Sequence, residues 1–314
     1  MIGWIAGQMA EVAERIQGLD GRFLAGALVL QLAILLLRAV AWRGVLAAAY
    51  PDQRIPLRSV GCAYAAGVAL NAFVPARGGE CAKVALARTQ IPGTCIATIG
   101  ASLSIVLVLD AILGAVLLAA LWAFGLVPEL PSVPAPGPGY AVALITGGLA
   151  LIAALAAAAF AARRFTAAVR RFLASAVRGL AILRTPWLYA YSVLPFQLAA
   201  WVCRIAVVYL VLHAFHVEAG LTSAMLVVVL SGISTAVPVP GGAGSQQVFA
   251  AYALQGAIST AGAVSFSVGL QVGITAVNTA VGLAAVMLLL RTARPYAAIR
   301  AASTGPALDV PPAG

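Results

Sequence analysis

Charge is scarce in this sequence. Of 314 residues, 9% are Asp, Glu, Lys or Arg, while 63% are hydrophobic. Soluble domains carry roughly 25% charged residues, so an ordinary water-coated surface is excluded. Acids are scarcer still, 9 against 19 Lys and Arg, for a formal net charge of +10. The arginines gather at the ends of apolar runs, where a membrane protein sets its cytoplasmic charge and meets lipid headgroups. No nucleic-acid partner is expected. The four cysteines, Cys62, Cys81, Cys95 and Cys203, form no CxxC pair and read as small buried hydrophobes. Neither a metal nor a cofactor is expected. A Gly-x-x-x-x-Gly-Lys-[Ser/Thr] run is missing, which excludes ATP coupling through a P-loop in this chain. Residues 1–20 lack a basic leader followed by an apolar core, so a cleaved signal peptide is not read there.

What is abundant is long apolar runs. Those of 18 or more residues can cross a hydrocarbon core of about 30 Å as helices. They are continuously apolar instead of alternating, which argues against a β-barrel. The fold class is therefore all-α, a polytopic membrane protein. Residues 1–22 read as an amphipathic interfacial segment, 23–300 as a single membrane domain, and 301–314 as a Pro/Ala/Gly tail without periodicity that is expected to be disordered. Within the membrane domain, spans are read at 23–50, 94–127, 140–162, 186–214 and 258–290. Arg38, Trp42 and Arg43 close the first span, with the arginine heads expected to snorkel to the interface. Residues 163–184 carry six arginines and no acid, with Phe165, Val169, Phe172, Ala176, Leu180 and Leu183 recurring at helical steps. That segment reads as a surface helix on anionic lipid headgroups.

Two stretches interrupt this pattern. The first is Asn71-Ala-Phe-Val-Pro75-Ala-Arg77-Gly78-Gly79-Glu80-Cys-Ala-Lys83, and the second is Pro238-Val-Pro240-Gly241-Gly242-Ala-Gly244-Ser245-Gln246-Gln247. Both contain Pro-x-x-Gly-Gly, and a short helix follows each. If all apolar runs crossed fully, the basic 163–184 helix and the C-terminal arginines would fall on opposite sides, against the positive-inside bias. Re-entrant hairpins at 57–90 and 221–255 leave five full crossings and put every basic cluster on one side. The N-terminus is then outside and the C-terminus cytoplasmic. Each half, 23–162 and 186–295, reads span, hairpin, long span, which amounts to an inverted repeat joined by the 163–184 helix. Interrupted helices at matching places in two halves point to a transporter site near the midplane.

Chemistry at the breaks follows from the backbone. Proline has no N–H to continue a helix, and glycine lets the chain turn and approach a ligand closely. A helix starting after each break presents unpaired N–H groups and the positive end of its dipole, a site for phosphate or carboxylate. Ser245 is the expected N-cap of the second short helix. Arg77, Glu80 and Lys83 are spaced three apart and share a helical face. They form either an ordinary ion pair in a cytoplasmic loop or a site where Arg77 and Lys83 meet a lipid phosphate. Asp110 and Arg204 lie deep in apolar runs, where ionisable groups are functional candidates. They either pair with each other or each finds its own partner. Asn71, Gln197, Gln271 and Asn278 read first as packing glue between helices.

At these residues the chain resembles the lysylphosphatidylglycerol synthase transmembrane-region family of flippase-like membrane proteins. The family pattern of Asn followed by Pro-x-Arg-x-Gly-Glu and a basic residue appears as Asn71, Pro75, Arg77, Gly79, Glu80 and Lys83, with Lys where Arg is usual. Its Pro-x-Pro-Gly-Gly-x-Gly-x-x-Glu signature appears as Pro238, Pro240, Gly241, Gly242 and Gly244, with Gln247 in place of Glu. The likeness spans roughly residues 23 to 295 and also takes in the Arg38–Trp42–Arg43 ending. It implies translocation of a membrane lipid partner: a phospholipid, an aminoacylated lipid, a hopanoid or a lipid-linked sugar. It does not imply synthase activity, since no soluble aminoacyl-transfer domain follows in this sequence. The runner-up is an intramembrane transferase using Glu80 or Asp110 on a lipid-linked substrate. A serine–histidine enzyme built on Ser245 is disfavoured because both histidines fall at the expected outer interface, and an assembly scaffold without transport is the remaining reading.

Overall fold

The computed structural model describes residues 19–72, 74, 78–128, 175, 177–234 and 245–292. The expected helices over 1–20 and 140–162, most of the basic 163–184 segment, the 301–314 tail, and Pro75, Arg77, Pro238, Pro240, Gly241, Gly242 and Gly244 lie outside the described residues. In chain order the elements are α1 (Gly21–Ala49), α2 (Leu57–Leu70), α3 (Gly78–Gln90), α4 (Ile96–Ala123), a 3₁₀ turn (Ala181–Arg184), α5 (Pro186–Ser192), α6 (Leu194–Ala214), α7 (Leu221–Ser234), α8 (Ser245–Ala253) and α9 (Thr260–Thr292). All regular structure among the described residues is helical. Among the described residues four helices are long and apolar enough to cross a membrane: Gly21–Ala49, Ile96–Ala123, Leu194–Ala214 and Thr260–Leu289.

The sequence reading of one span over 186–214 needs correction. The helix breaks at Val193, and only Leu194–Ala214 is long enough to cross. Pro195 sits in the first turn of α6, where its missing N–H is harmless to α6 but cannot continue the hydrogen-bond ladder of α5. α5 buries none of its residues, and Trp187 and Tyr191 project outward. Exposed Trp122 and Phe124 mark the far end of α4. Aromatic rings at the two ends of a helical bundle suit the two membrane–water interfaces.

α1 and α6 form the central antiparallel pair. At one end the Asp20 amide donates to the Ala214 carbonyl, and Asp20 caps α1 by accepting from the Arg22 amide at 2.9 Å. At the other end Gly44 abuts the Ser192 carbonyl and Val193. This pair gives the bundle two ends that can be compared. The Tyr50 end also holds the start of α2, the end of α3 and the start of α4, since the Cys95 amide donates to the Tyr50 hydroxyl at 2.9 Å. The Arg43 guanidinium donates to the Ile55 carbonyl there at 2.7 Å. Arg54, Arg58, Arg88 and Arg178 belong to the same end. The Ala214 end holds the start of α7, the turn after α8 and the start of α9, with the Tyr252 hydroxyl donating to the Pro128 carbonyl beyond α4.

α2 and α3 therefore form a helical hairpin whose two outer ends lie together. With 14 and 13 residues they reach ~21 and ~20 Å at 1.5 Å per residue, short of the ~30 Å apolar core. α7 and α8 pair in the same manner from the opposite end. α9 runs beside both hairpins. Gln247 at the start of α8 donates to Gln271 at 3.4 Å, Asn278 accepts from Gln31 of α1 at 2.9 Å, and Gly282 packs on Ala65 and Ala69 of α2. From Gln271 to Gly282 is ~16 Å of helix rise, so the inner ends of the hairpins approach each other from opposite ends over the middle of α9.

The α2–α3 crossing requires glycine. A Cβ on Gly79 would collide with the Gly67 carbonyl and stand 2.5 Å from Asn71 Oδ1, and one on Gly67 would stand 2.7 Å from the Gly79 carbonyl. Backbone cannot rotate away as a side chain can. Gly79→Ala is therefore expected to cost about 1–3 kcal/mol through overpacking, read as a lower midpoint of thermal unfolding in detergent. Gly100→Ala on α4, where a Cβ meets nothing within 4 Å, is the control and leaves the midpoint unchanged or raises it.

Candidate functional site

The inner end of the first hairpin carries a compact polar cluster. Glu80, in the first turn of α3, stands near the positive end of that helix dipole. Its carboxylate accepts from Lys83 Nζ at 2.8 and 3.0 Å and from Asn71 Nδ2 at 3.0 Å. The Lys83 side chain is only 3% exposed, against 19% for Glu80. A bare ammonium could not be held there; Glu80 and the face of Tyr64, whose centroid lies 4.3 Å from Nζ, supply the compensating negative potential. Asn71 Oδ1 is buried and accepts no hydrogen bond from the described residues. The expected Glu80–Lys83 pairing is thus present, while Arg77, its expected companion, lies outside the described residues.

Tyr64 leads to a second cluster. Its ring is tilted against Trp42 at 6.3 Å, and its phenol lies beside the Arg38 guanidinium. Arg38 does not snorkel to the interface as the sequence suggested. It donates to Asp110 Oδ2 of α4 at 2.7 Å, with the two side chains 15% and 17% exposed. Turning inward satisfies Asp110, which sits mid-helix in an apolar run, so pairing wins over snorkelling. The other Asp110 oxygen accepts from Trp201 Nε1 of α6 at 2.7 Å. Of the two readings of Asp110 and Arg204, separate partners holds: Arg204 Cζ lies 5.8 Å from the centroid of the Trp201 ring. Trp201 thus contacts both residues, its Nε1 on Asp110 and its ring 5.8 Å from Arg204 Cζ.

The residues read as glue do bridge helices. Gln197 Oε1 accepts from the Tyr189 hydroxyl at 2.6 Å and its Nε2 donates to the Val106 carbonyl at 3.2 Å. Burial raises the Tyr189 phenol above its ordinary pKa, and the nearby Asp110 carboxylate adds to the shift. Trp42 Nε1 donates to Ser102 Oγ at 3.1 Å. Around the second break, Ser245 is the first residue of α8 instead of a position ahead of it, and Gly244, which would precede it, is not described. Gln247 faces α9 through Gln271.

Tyr64 and Trp201 were not singled out from sequence, though spacing carried a signal for both. Tyr64 and Asn71 are seven apart on α2, and Gln197, Trp201 and Arg204 follow at i, i+4 and i+7 on α6. Each set is a polar or amphipathic stripe on an otherwise apolar helix. The result is a string of side chains from Asn71 and Glu80 through Lys83, Tyr64, Arg38 and Asp110 to Trp201, which joins the hairpin to α1, α4 and α6.

Comparison with curated proteins and with solved structures returned no match. The family model described as "Lysylphosphatidylglycerol synthase TM region" matches residues 1–282, a stretch that includes both breaks, three of the four membrane-length helices and most of the fourth. The chain belongs to the lysylphosphatidylglycerol synthase transmembrane-region family and is an all-helical, multi-pass membrane protein.

Proposed function

We propose that the protein moves a lipid across the cytoplasmic membrane, as a flippase or scramblase, without converting it chemically. The substrate is a phospholipid, an aminoacylated lipid, a hopanoid or a lipid-linked sugar, and its headgroup is held at the hairpin ends while its tails stay in the bilayer. In this reading both hairpins are re-entrant, five helices cross fully, and the halves form an inverted repeat. The N-terminus lies outside and the C-terminus in the cytoplasm. The observation that carries the reading is the Asn71–Glu80–Lys83 cluster at the inner end of a hairpin too short to span. Three strongly polar side chains there suit a hydrated headgroup passage and are costly in plain hydrocarbon. The amide end of α3 adds a preference for anionic groups.

Glu80 is held in place by Lys83 and Asn71, which suits a binding role. The test is leaflet exchange in liposomes carrying fluorescent phospholipids, with quenching from outside. The protein is expected to accelerate exchange, and Arg77→Ala to slow it ~10–100-fold, the value of one lost charged hydrogen bond at ~1.5–3 kcal/mol. No acceleration with any lipid class overturns the transport reading. If a labelled lipid is instead converted in detergent, the intramembrane transferase replaces it.

A further inference from the structure

A groove opens between α3 and α4, away from the Glu80–Lys83 contact. It has a volume of about 560 Å³ and is lined by Cys81, Ala85, Ile96, Gly100, Ser104 and Leu180 among others. Its walls are almost wholly apolar, and small residues on α4 give it depth. One end reaches Cys81, beside the inner end of the hairpin. The other end is crossed by Ser175 and residues 177–180. Thr98 Oγ1 donates to the Ser175 carbonyl at 2.7 Å, and Gly179 packs on the Thr98 carbonyl and Ala101 so closely that a Cβ would collide. That segment is pinned across α4, and Leu180 lines the groove at this end.

Charge marks the mouth. Cys81, Ala85 and Arg88 follow one another at i, i+4 and i+7, so Arg88 continues the groove face of α3 toward the Tyr50 end. Arg178, two residues before Leu180, is exposed and donates to Ser175 Oγ at 3.0 Å. Both arginines stand at the end where Arg43, Arg54 and Arg58 also lie. A narrow apolar groove whose mouth carries guanidinium groups complements one kind of molecule, an acyl chain joined to an anionic head. A zwitterionic lipid fits the groove equally well but gains less at the mouth.

We propose that this groove holds one acyl chain of an anionic glycerophospholipid, with the phosphate at Arg88 and Arg178, as a site separate from the headgroup passage. The site does not depend on the transport reading, because its described lining and its charges exclude Glu80 and Lys83. A bound lipid here braces α3 against α4 at the outer half of the hairpin.

The experiment is native mass spectrometry of the purified full chain, titrated with phosphatidylglycerol or phosphatidylethanolamine of matched acyl length. Wild type is expected to retain one phosphatidylglycerol at least ~10-fold more strongly than phosphatidylethanolamine. Gly100→Leu places a side chain into open groove space and is expected to weaken retention of both lipids. Arg88→Gln with Arg178→Gln is expected to abolish the headgroup preference while leaving weaker binding of both. Protection of the native Cys81 thiol, in a chain with Cys62, Cys95 and Cys203 changed to Ser, gives a readout that needs no groove variant. Phosphatidylglycerol is expected to slow its maleimide labelling more than phosphatidylethanolamine does. Equal retention of the two lipids by wild type, or equal labelling of Cys81 with and without phosphatidylglycerol, overturns the proposal. So does undiminished retention in a folded Gly100→Leu chain.

Discussion

Asp110→Ala is expected to be among the most damaging single changes in the bundle, lowering stability by about 3–5 kcal/mol. The substitution strips Arg38 of its charged partner at 2.7 Å and leaves the guanidinium 15% exposed among apolar helices. It also removes the acceptor of the Trp201 indole. The cost comes mainly from the charge left behind, because two charges taken out of water repay their desolvation only when both are present. Arg38→Met with Asp110→Leu removes both and is expected to recover most of the loss. Thermal unfolding in detergent, followed by gel filtration to score the folded fraction, checks both statements. An Asp110→Ala chain as stable as wild type, or a double variant no better than the single one, contradicts them.

The second large effect is an asymmetry at the hairpin. Glu80→Gln is expected to destabilise by about 3–5 kcal/mol, since it leaves the Lys83 ammonium 3% exposed without a counter-charge. Lys83→Met leaves the more accessible Glu80, 19% exposed, which keeps the Asn71 amide as donor. Its cost is expected to be about half as large, part of it the lost contact with Tyr64, worth roughly 0.5–2 kcal/mol. The same unfolding measurement ranks them. A larger loss in Lys83→Met than in Glu80→Gln contradicts this account of the cluster.

How much of this was legible in the sequence depends on the physics involved. The long apolar helices announce themselves, since length and continuous apolarity are one-dimensional properties. The two breaks in the apolar pattern were visible because proline and glycine act locally. The Glu80–Lys83 pair was visible because i, i+3 spacing fixes proximity within one helix. The partner of Asp110 was not. Arg38, Arg204 and several other cations were equally eligible, and only the packing of α1 against α4 and α6 selects Arg38. The bend at Val193 was missed because residues 186–214 are apolar throughout, and Pro195 near a helix start is compatible with either reading. Gly67 and Gly79 looked like ordinary glycines until the crossing of α2 and α3 showed that their backbones touch.

The proposed lipid passage requires two short hairpins that enter the membrane from opposite faces. Cys95, at the outer end of the first hairpin, and Ala257, just after α8, are both exposed. The deciding measurement labels Cys95 alone, and Ala257→Cys alone in a cysteine-free chain, with a membrane-impermeant maleimide in sealed vesicles of known orientation. Labelling from opposite sides of the membrane is the predicted result. Labelling from the same side, as uninterrupted crossings at 57–74 and 221–237 would require, contradicts it.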